Sequence, residues 1–106
     1  MPLHFLAILE PKPDRVDRVQ EICNSVADYV KEKEPGVLKY QWFLSGPTES
    51  PKIYVWEIYA DQAAVETHKT SPKMAELIEI SAKEDNFLSE IQVIPLESFA
   101  GWASRE

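Results

Sequence analysis

Histidine is the side chain whose ordinary pKa suits a general base near neutral pH, and this 106-residue chain has two, His4 and His68. His4 falls in an apolar run and reads as an ordinary strand residue. His68 is the one with chemistry near it, because a short connection separates it from Glu57. A carboxylate beside an imidazole fixes its tautomer and raises its basicity, so the pair could draw a proton from a substrate. Tyr59 alternates onto the same side of an extended chain as Glu57 and could donate a hydrogen bond to a substrate oxygen. Lys73 could attract an anionic group, or stand simply solvated. Trp42 is the strand aromatic carried as a substrate contact, although it, Trp56, Tyr40 and Tyr54 more often serve as sheet and subunit core. A Glu–His pair of this kind also suits a purely structural clamp between strand and helix, and both readings stay open.

Other chemistry finds little footing. Two histidines and one cysteine, far apart in the chain, have none of the ligand spacings of a zinc site. Only three glycines occur, and none forms a glycine-rich loop after a strand, so nucleotide or flavin binding has no basis and no cofactor is expected. Cys23 falls on the apolar side of a helical pattern and reads as an inert core thiol.

The elements that must position these residues are legible in the periodicity. Residues 3–10, LHFLAILE, form a short apolar run between Pro2 and Pro11, which favours a buried strand. Val16, Val19, Ile22, Cys23, Val26, Ala27 and Val30 then recur at helical spacing, with Asp14 as the expected N-cap and Pro35-Gly36 as the stop. VLKYQWFLS at 37–45 and KIYVWEIYA at 52–60 read as an antiparallel strand pair joined by the loop GPTESP. In the second of these, Ile53, Val55, Glu57 and Tyr59 share one face, and Tyr54, Trp56 and Ile58 the other. Asp61 caps a second helix, which Ser71-Pro72 ends or kinks, and the helical stripe resumes through Met74, Leu77, Ile78 and Ser81 to about Lys83. FLSEIQVIPL at 87–96 reads as a last strand.

The order is βαββαβ, a ferredoxin-like split motif: an α+β fold with a four-stranded antiparallel sheet and two helices on one face. The other sheet face carries bulky apolar residues that would not stay in water, which predicts a homodimer packed face to face. The chain is expected to be a single domain with its core at 3–96 and a tail at 97–106, whose Phe99 and Trp102 would dock on the partner or cover a pocket.

Composition sets outer limits. Eighteen acidic against eleven basic residues give a net charge of −7 with no basic patch, so nucleic acid is not an expected partner. No stretch approaches the roughly 20 apolar residues of a membrane helix. The N-terminus lacks a signal-peptide pattern, and a single cysteine fits a reducing, cytoplasmic setting.

Residues 53–79, IYVWEIYADQAAVETHKTSPKMAELIE, resemble the signature of the antibiotic-biosynthesis-monooxygenase family: a strand ending in Glu, an aromatic, an Asp-capped helix with Ala-Ala and His, then Ser/Thr-Pro. EPGVLKYQWF at 34–43 resembles the family's Glu-Pro-Gly turn into the second strand. The resemblance covers residues 3–96. It implies a dimeric α+β barrel with a pocket between sheet and helices in each subunit, and it matches Glu57 and His68 to the signature Glu and His. Quinol monooxygenases, cofactor-free polyketide oxygenases and a small isomerase of a phosphorylated signalling sugar are similar over YADQAAVETHKTSP. The implied activity is therefore a cofactor-independent monooxygenase acting on a small phenolic, quinol or polyketide-like molecule. An isomerase or cyclase moving protons on a carbonyl compound, or a non-catalytic small-molecule-binding dimer, stand as alternatives. Two departures narrow it: Lys73 stands where several relatives have a second His, and the first strand lacks the Asn that haem-degrading relatives need.

Overall fold

Strand β1 (Leu3–Leu9) runs between two partners, β3 (Lys52–Tyr59) and β4 (Gln92–Leu96), and β2 (Val37–Ser45) completes the sheet on the far side of β3. The strand order is β2-β3-β1-β4 with every pairing antiparallel. A computed structural model describes residues 2–105. This is the expected split βαββαβ arrangement, with helix α1 (Val16–Lys33) between β1 and β2, and helices α2 (Gln62–Lys69) and α3 (Pro72–Lys83) between β3 and β4.

The period-two alternation of β3 is realised residue by residue. Ile53, Val55, Glu57 and Tyr59 are buried on the helix side, while Tyr54, Trp56 and Ile58 are half-buried on the open side. Register continues both faces across the sheet, since Ala7 stands opposite Val55, and Leu6 lies between Trp56 and Ile94. The core forms where α1 lays Val19 onto Ala7, Leu9, Ile53 and Val55, with Cys23, Tyr40, Trp42 and Phe87 packed around it.

The second helical segment divides where proline predicts. Asp61 caps α2 by accepting from the backbone N–H of Ala64 at 2.9 Å. Ser71 caps α3 by accepting from Met74 N–H at 3.1 Å, with Pro72 in the first turn, where its missing donor costs nothing. Among the described residues, no helix is long and apolar enough to cross a membrane.

Two expectations are corrected. Asp14 does not cap α1, because it lies inside a 3-10 turn, Pro13–Arg15, that Pro13 initiates, and Arg15 precedes the helix without a side-chain cap. The last strand is shorter than expected, beginning at Gln92 rather than residue 87. Residues 84–88 are held elsewhere: Arg18 grips Glu84 through two bonds of 2.8 and 2.7 Å, Arg15 donates to Asn86 at 2.8 Å, and Phe87 makes only an isolated bridge to Pro11. Backbone bonds from Lys12 N–H to Asn86 and from Leu88 N–H to Glu10 tie the same segment to the end of β1. Residues 86–88 therefore follow the extension of β1 past Leu9 while Glu84 and Asn86 hold the start of α1, and regular pairing with β1 resumes only where Gln92 stands opposite Ile8.

Candidate functional site

The helix side of the sheet holds two adjoining regions of different character. One is an apolar cavity of about 540 Å³ under α1 and α3, walled by Leu9, Val19, Cys23, Trp42, Leu77 and Phe87 among others. No residue of α3 is buried, although Met74, Leu77 and Ile80 face inward enough to be half-buried, because α3 roofs this space instead of packing on the sheet. The other region lies under α2 and is polar: Glu34, Glu57 and His68 are all buried, together with Tyr59.

A close approach of backbone assembles the polar region. Glu34 closes α1, donating its N–H to Val30 O, while its carbonyl accepts from Val37 N–H, both at 3.0 Å. Pro35 and Gly36 then turn the chain into β2. A Cβ on Gly36 would sit 2.7 Å from the Ala64 Cβ, so only glycine against alanine lets α2 lie on this turn. Ala60 N–H donates to Gly36 O at 2.8 Å and holds the strand end there. His68 is one helical turn beyond Ala64 and hence on the same face. The contact that seats Ala64 therefore delivers the imidazole to the turn, where His68 Nδ1 lies 2.8 Å from Glu34 Oε1.

This differs from the pairing expected from the sequence. Glu57 does not bond His68; it accepts from the Tyr59 hydroxyl at 2.5 Å, which occupies the one proton Tyr59 could have offered a substrate. His68 is near enough to act on Glu57 electrostatically, so the two residues do meet in one cluster. Burial pushes the Glu57 carboxyl above its ordinary pKa, opposed by the Tyr59 hydrogen bond and by His68. Burial likewise holds the Tyr59 and Tyr40 phenols well above their usual range, reinforced by the neighbouring Glu57 charge, so both remain neutral donors. Tyr40 and Tyr59 flank the His68 ring edge-on at 5.5 and 5.6 Å.

Tyr40 also joins the two regions, since its ring meets Trp42 edge-on at 5.3 Å and Trp42 is part of the cavity wall. The indole Nε1 of Trp42 is buried without a hydrogen-bond partner. Cys23, on the opposite wall, has its thiol pushed up to about 12 by burial, too high for a nucleophile at neutral pH. Lys73 is not at the cavity; its ammonium bonds Ser25 on α1 and lies 3.4 Å from Glu76. Phe99 and Trp102 are both largely exposed, 96% and 72%, so neither covers the cavity of its own chain. Among the described residues, no group of three or more His, Cys, Asp and Glu could hold a metal ion.

The residue that sequence reasoning passed over is Glu34. Its signal was present, as an acidic residue fixed in a Glu-Pro-Gly turn ahead of an aromatic strand, but nothing local says that α2 returns to that turn.

The model of the antibiotic biosynthesis monooxygenase family matches residues 2–88, and the chain belongs to that family. That membership gives it a coarse small-molecule monooxygenase-like character. Solved structures share the fold at low identity. A candidate antibiotic biosynthesis monooxygenase from Caulobacter crescentus is 22% identical over 93% of this chain and 91% of its own, with a TM-score of 0.79. A protein from Mycobacterium tuberculosis is 16% identical over 97% of this chain and all (100%) of its own, with a TM-score of 0.81. A further candidate monooxygenase, from Bacteroides thetaiotaomicron, is 19% identical over 99% and 96% of the two chains, with a TM-score of 0.82. No curated protein matches the chain significantly.

Proposed function

We propose that this protein is a cofactor-independent monooxygenase acting on a small phenolic, quinol or polyketide-like substrate. The observation that carries the reading is the junction of the apolar cavity with the buried polar cluster through Trp42 and Tyr40. Oxygenation without a cofactor requires the substrate to supply the electrons, so it must first become an electron-rich phenolate, enolate or carbanion. A flat apolar molecule would lie against Trp42, with its acidic end directed past Tyr40. His68 would take the proton, and the neutral Tyr40 phenol would donate to the anion. Glu57, held by Tyr59, would shape the field around that proton rather than orient the imidazole. Lys73 would bear on the substrate only indirectly, through its hold on α1.

The assembly proposed is a homodimer through the open sheet face, where Leu6, Trp56, Ile58 and Ile94 would otherwise stand in water. Phe99 and Trp102 would then dock on the partner.

Oxygen uptake against a panel of hydroquinones and anthrones tests the activity. Turnover is expected with the intact protein and should be lost in His68→Ala; full activity in that variant would sink the assignment of the base. Turnover that persists without oxygen would instead indicate an isomerase or cyclase. One observation favours a non-catalytic reading, namely that His68 ties α2 to the Glu34 turn and is not on the cavity wall. On that reading apolar ligands would raise the melting temperature while nothing on the panel reacts.

A further inference from the structure

We infer that Glu34 is the positioning residue of His68, holding the imidazole as its Nδ1–H tautomer and leaving Nε2 as the atom that exchanges a proton with substrate. The inference rests on the reading of His68 as the base, and it assigns to Glu34 the role the sequence suggested for Glu57. Three features carry it.

The first is geometry. Glu34 Oε1 and His68 Nδ1 are 2.8 Å apart with both side chains buried, a contact we read as Nδ1–H donating to the carboxylate oxygen. The Glu57 carboxylate accepts from Tyr59 and makes no bond to the ring.

The second is rigidity. The Glu34 backbone is tied on both sides, to Val30 and to Val37, so its carboxylate has a fixed origin. Tyr40 and Tyr59 both pack edge-on against the His68 ring, which restrains its plane and leaves the tautomer as the variable that Glu34 controls.

The third is the form of the pair. Glu34 Oε2 is buried with no hydrogen-bond partner, an arrangement a plain clamp would avoid, because a neutral amide could fill the same space without burying a charge. A carboxylate there does something an amide cannot: it balances the positive imidazolium that forms when Nε2 takes a substrate proton. The proton moves from substrate to Nε2, the positive charge spreads over the ring, and Glu34 faces it at Nδ1.

The test uses Glu34→Gln, which keeps the shape and removes the charge, and Glu34→Leu, in the full-length protein labelled with 15N-histidine. With only two histidines, His4→Gln assigns the His68 signals. At a pH where the ring is neutral, the intact protein should show the Nδ1–H tautomer. In Glu34→Gln the amide oxygen can still accept from Nδ1–H, so the tautomer is read in Glu34→Leu, which offers the ring neither acceptor nor donor, and there the Nε2–H tautomer should appear. An Nε2–H ring in the intact protein, or an unchanged tautomer in Glu34→Leu, overturns the inference without any substrate in hand.

With a substrate that turns over, Glu34→Gln should lose kcat by roughly 100- to 10,000-fold while KM stays within about twofold. Glu34→Asp should recover part of that loss. Equal kcat in Glu34→Gln and the intact protein overturns the positioning role. If His68→Ala retains full turnover, the base reading fails and the catalytic meaning of Glu34 fails with it, whatever the ring nitrogens show.

Discussion

Gly36→Ala is the change that most directly probes how the site is assembled. Gly36 is not among the glycines with positive φ, so alanine can adopt its backbone and the cost is steric. The new methyl would lie 2.7 Å from the Ala64 Cβ, well inside contact distance, and neither group is the flexible end of a side chain. Overpacking of this kind costs roughly 1–3 kcal/mol. Loss of chain entropy in the unfolded state offsets about 0.4–1 kcal/mol of it, which leaves a net destabilisation of about 1–2 kcal/mol. With an unfolding entropy near 2.1 cal/mol/K per residue, a chain of this length loses about 4–5 °C per kcal/mol. The melting temperature should therefore fall by about 5–10 °C. Urea unfolding should show a lower midpoint at unchanged slope. The companion variant Ala64→Gly removes the opposing methyl at a helix-propensity cost of about 1 kcal/mol. Combined with Gly36→Ala, it should restore at least about 1 kcal/mol relative to additivity. An unchanged or raised melting temperature, or strictly additive effects, would refute the claim that this contact seats α2 and delivers His68 to Glu34.

The Arg18 clamp predicts an acid-sensitive joint. The guanidinium of Arg18 beside Glu84 holds that carboxyl down to about 2, against an ordinary value near 4.5. A lowered folded-state pKa stabilises above the unfolded value and ceases to do so as pH falls through the folded one. Melting curves from pH 5 down to pH 2 should therefore show a steeper loss in the intact protein than in Glu84→Gln, and parallel curves would count against the clamp. At the open sheet face, sedimentation should find a dimer at micromolar concentration, with Trp56→Asp monomeric and still folded by circular dichroism. A dimer that survives Trp56→Asp places the subunit contact elsewhere.

Much of the architecture is legible in the sequence because it follows from local rules. Alternation along KIYVWEIYA is enough to put Ile53, Val55, Glu57 and Tyr59 on one side, and they are the residues buried there. Asp61 and Ser71-Pro72 announce the ends of α2 and α3 through capping and the missing proline donor, which are interactions within a few residues. Asp14 and residues 87–91 depart from their local pattern where distant partners compete. Arg15, Arg18 and Asn86 draw the 84–88 segment onto the start of α1, and no periodicity encodes that.

The candidate site divides in the same way. Residue chemistry alone singles out His68 as the candidate base and places Glu57 and Tyr59 on its side of the sheet. Which carboxylate meets which ring nitrogen is beyond it, because Glu34 and His68 are 34 positions apart and meet only where Gly36 admits Ala64. The cavity likewise depends on α3 standing off the sheet as a roof, which the helical stripe of Met74, Leu77, Ile78 and Ser81 does not distinguish from ordinary packing. Local chemistry determines the elements and the faces they present. Their distances from one another, and with them the partner of His68, are set by close packing between segments remote in the chain.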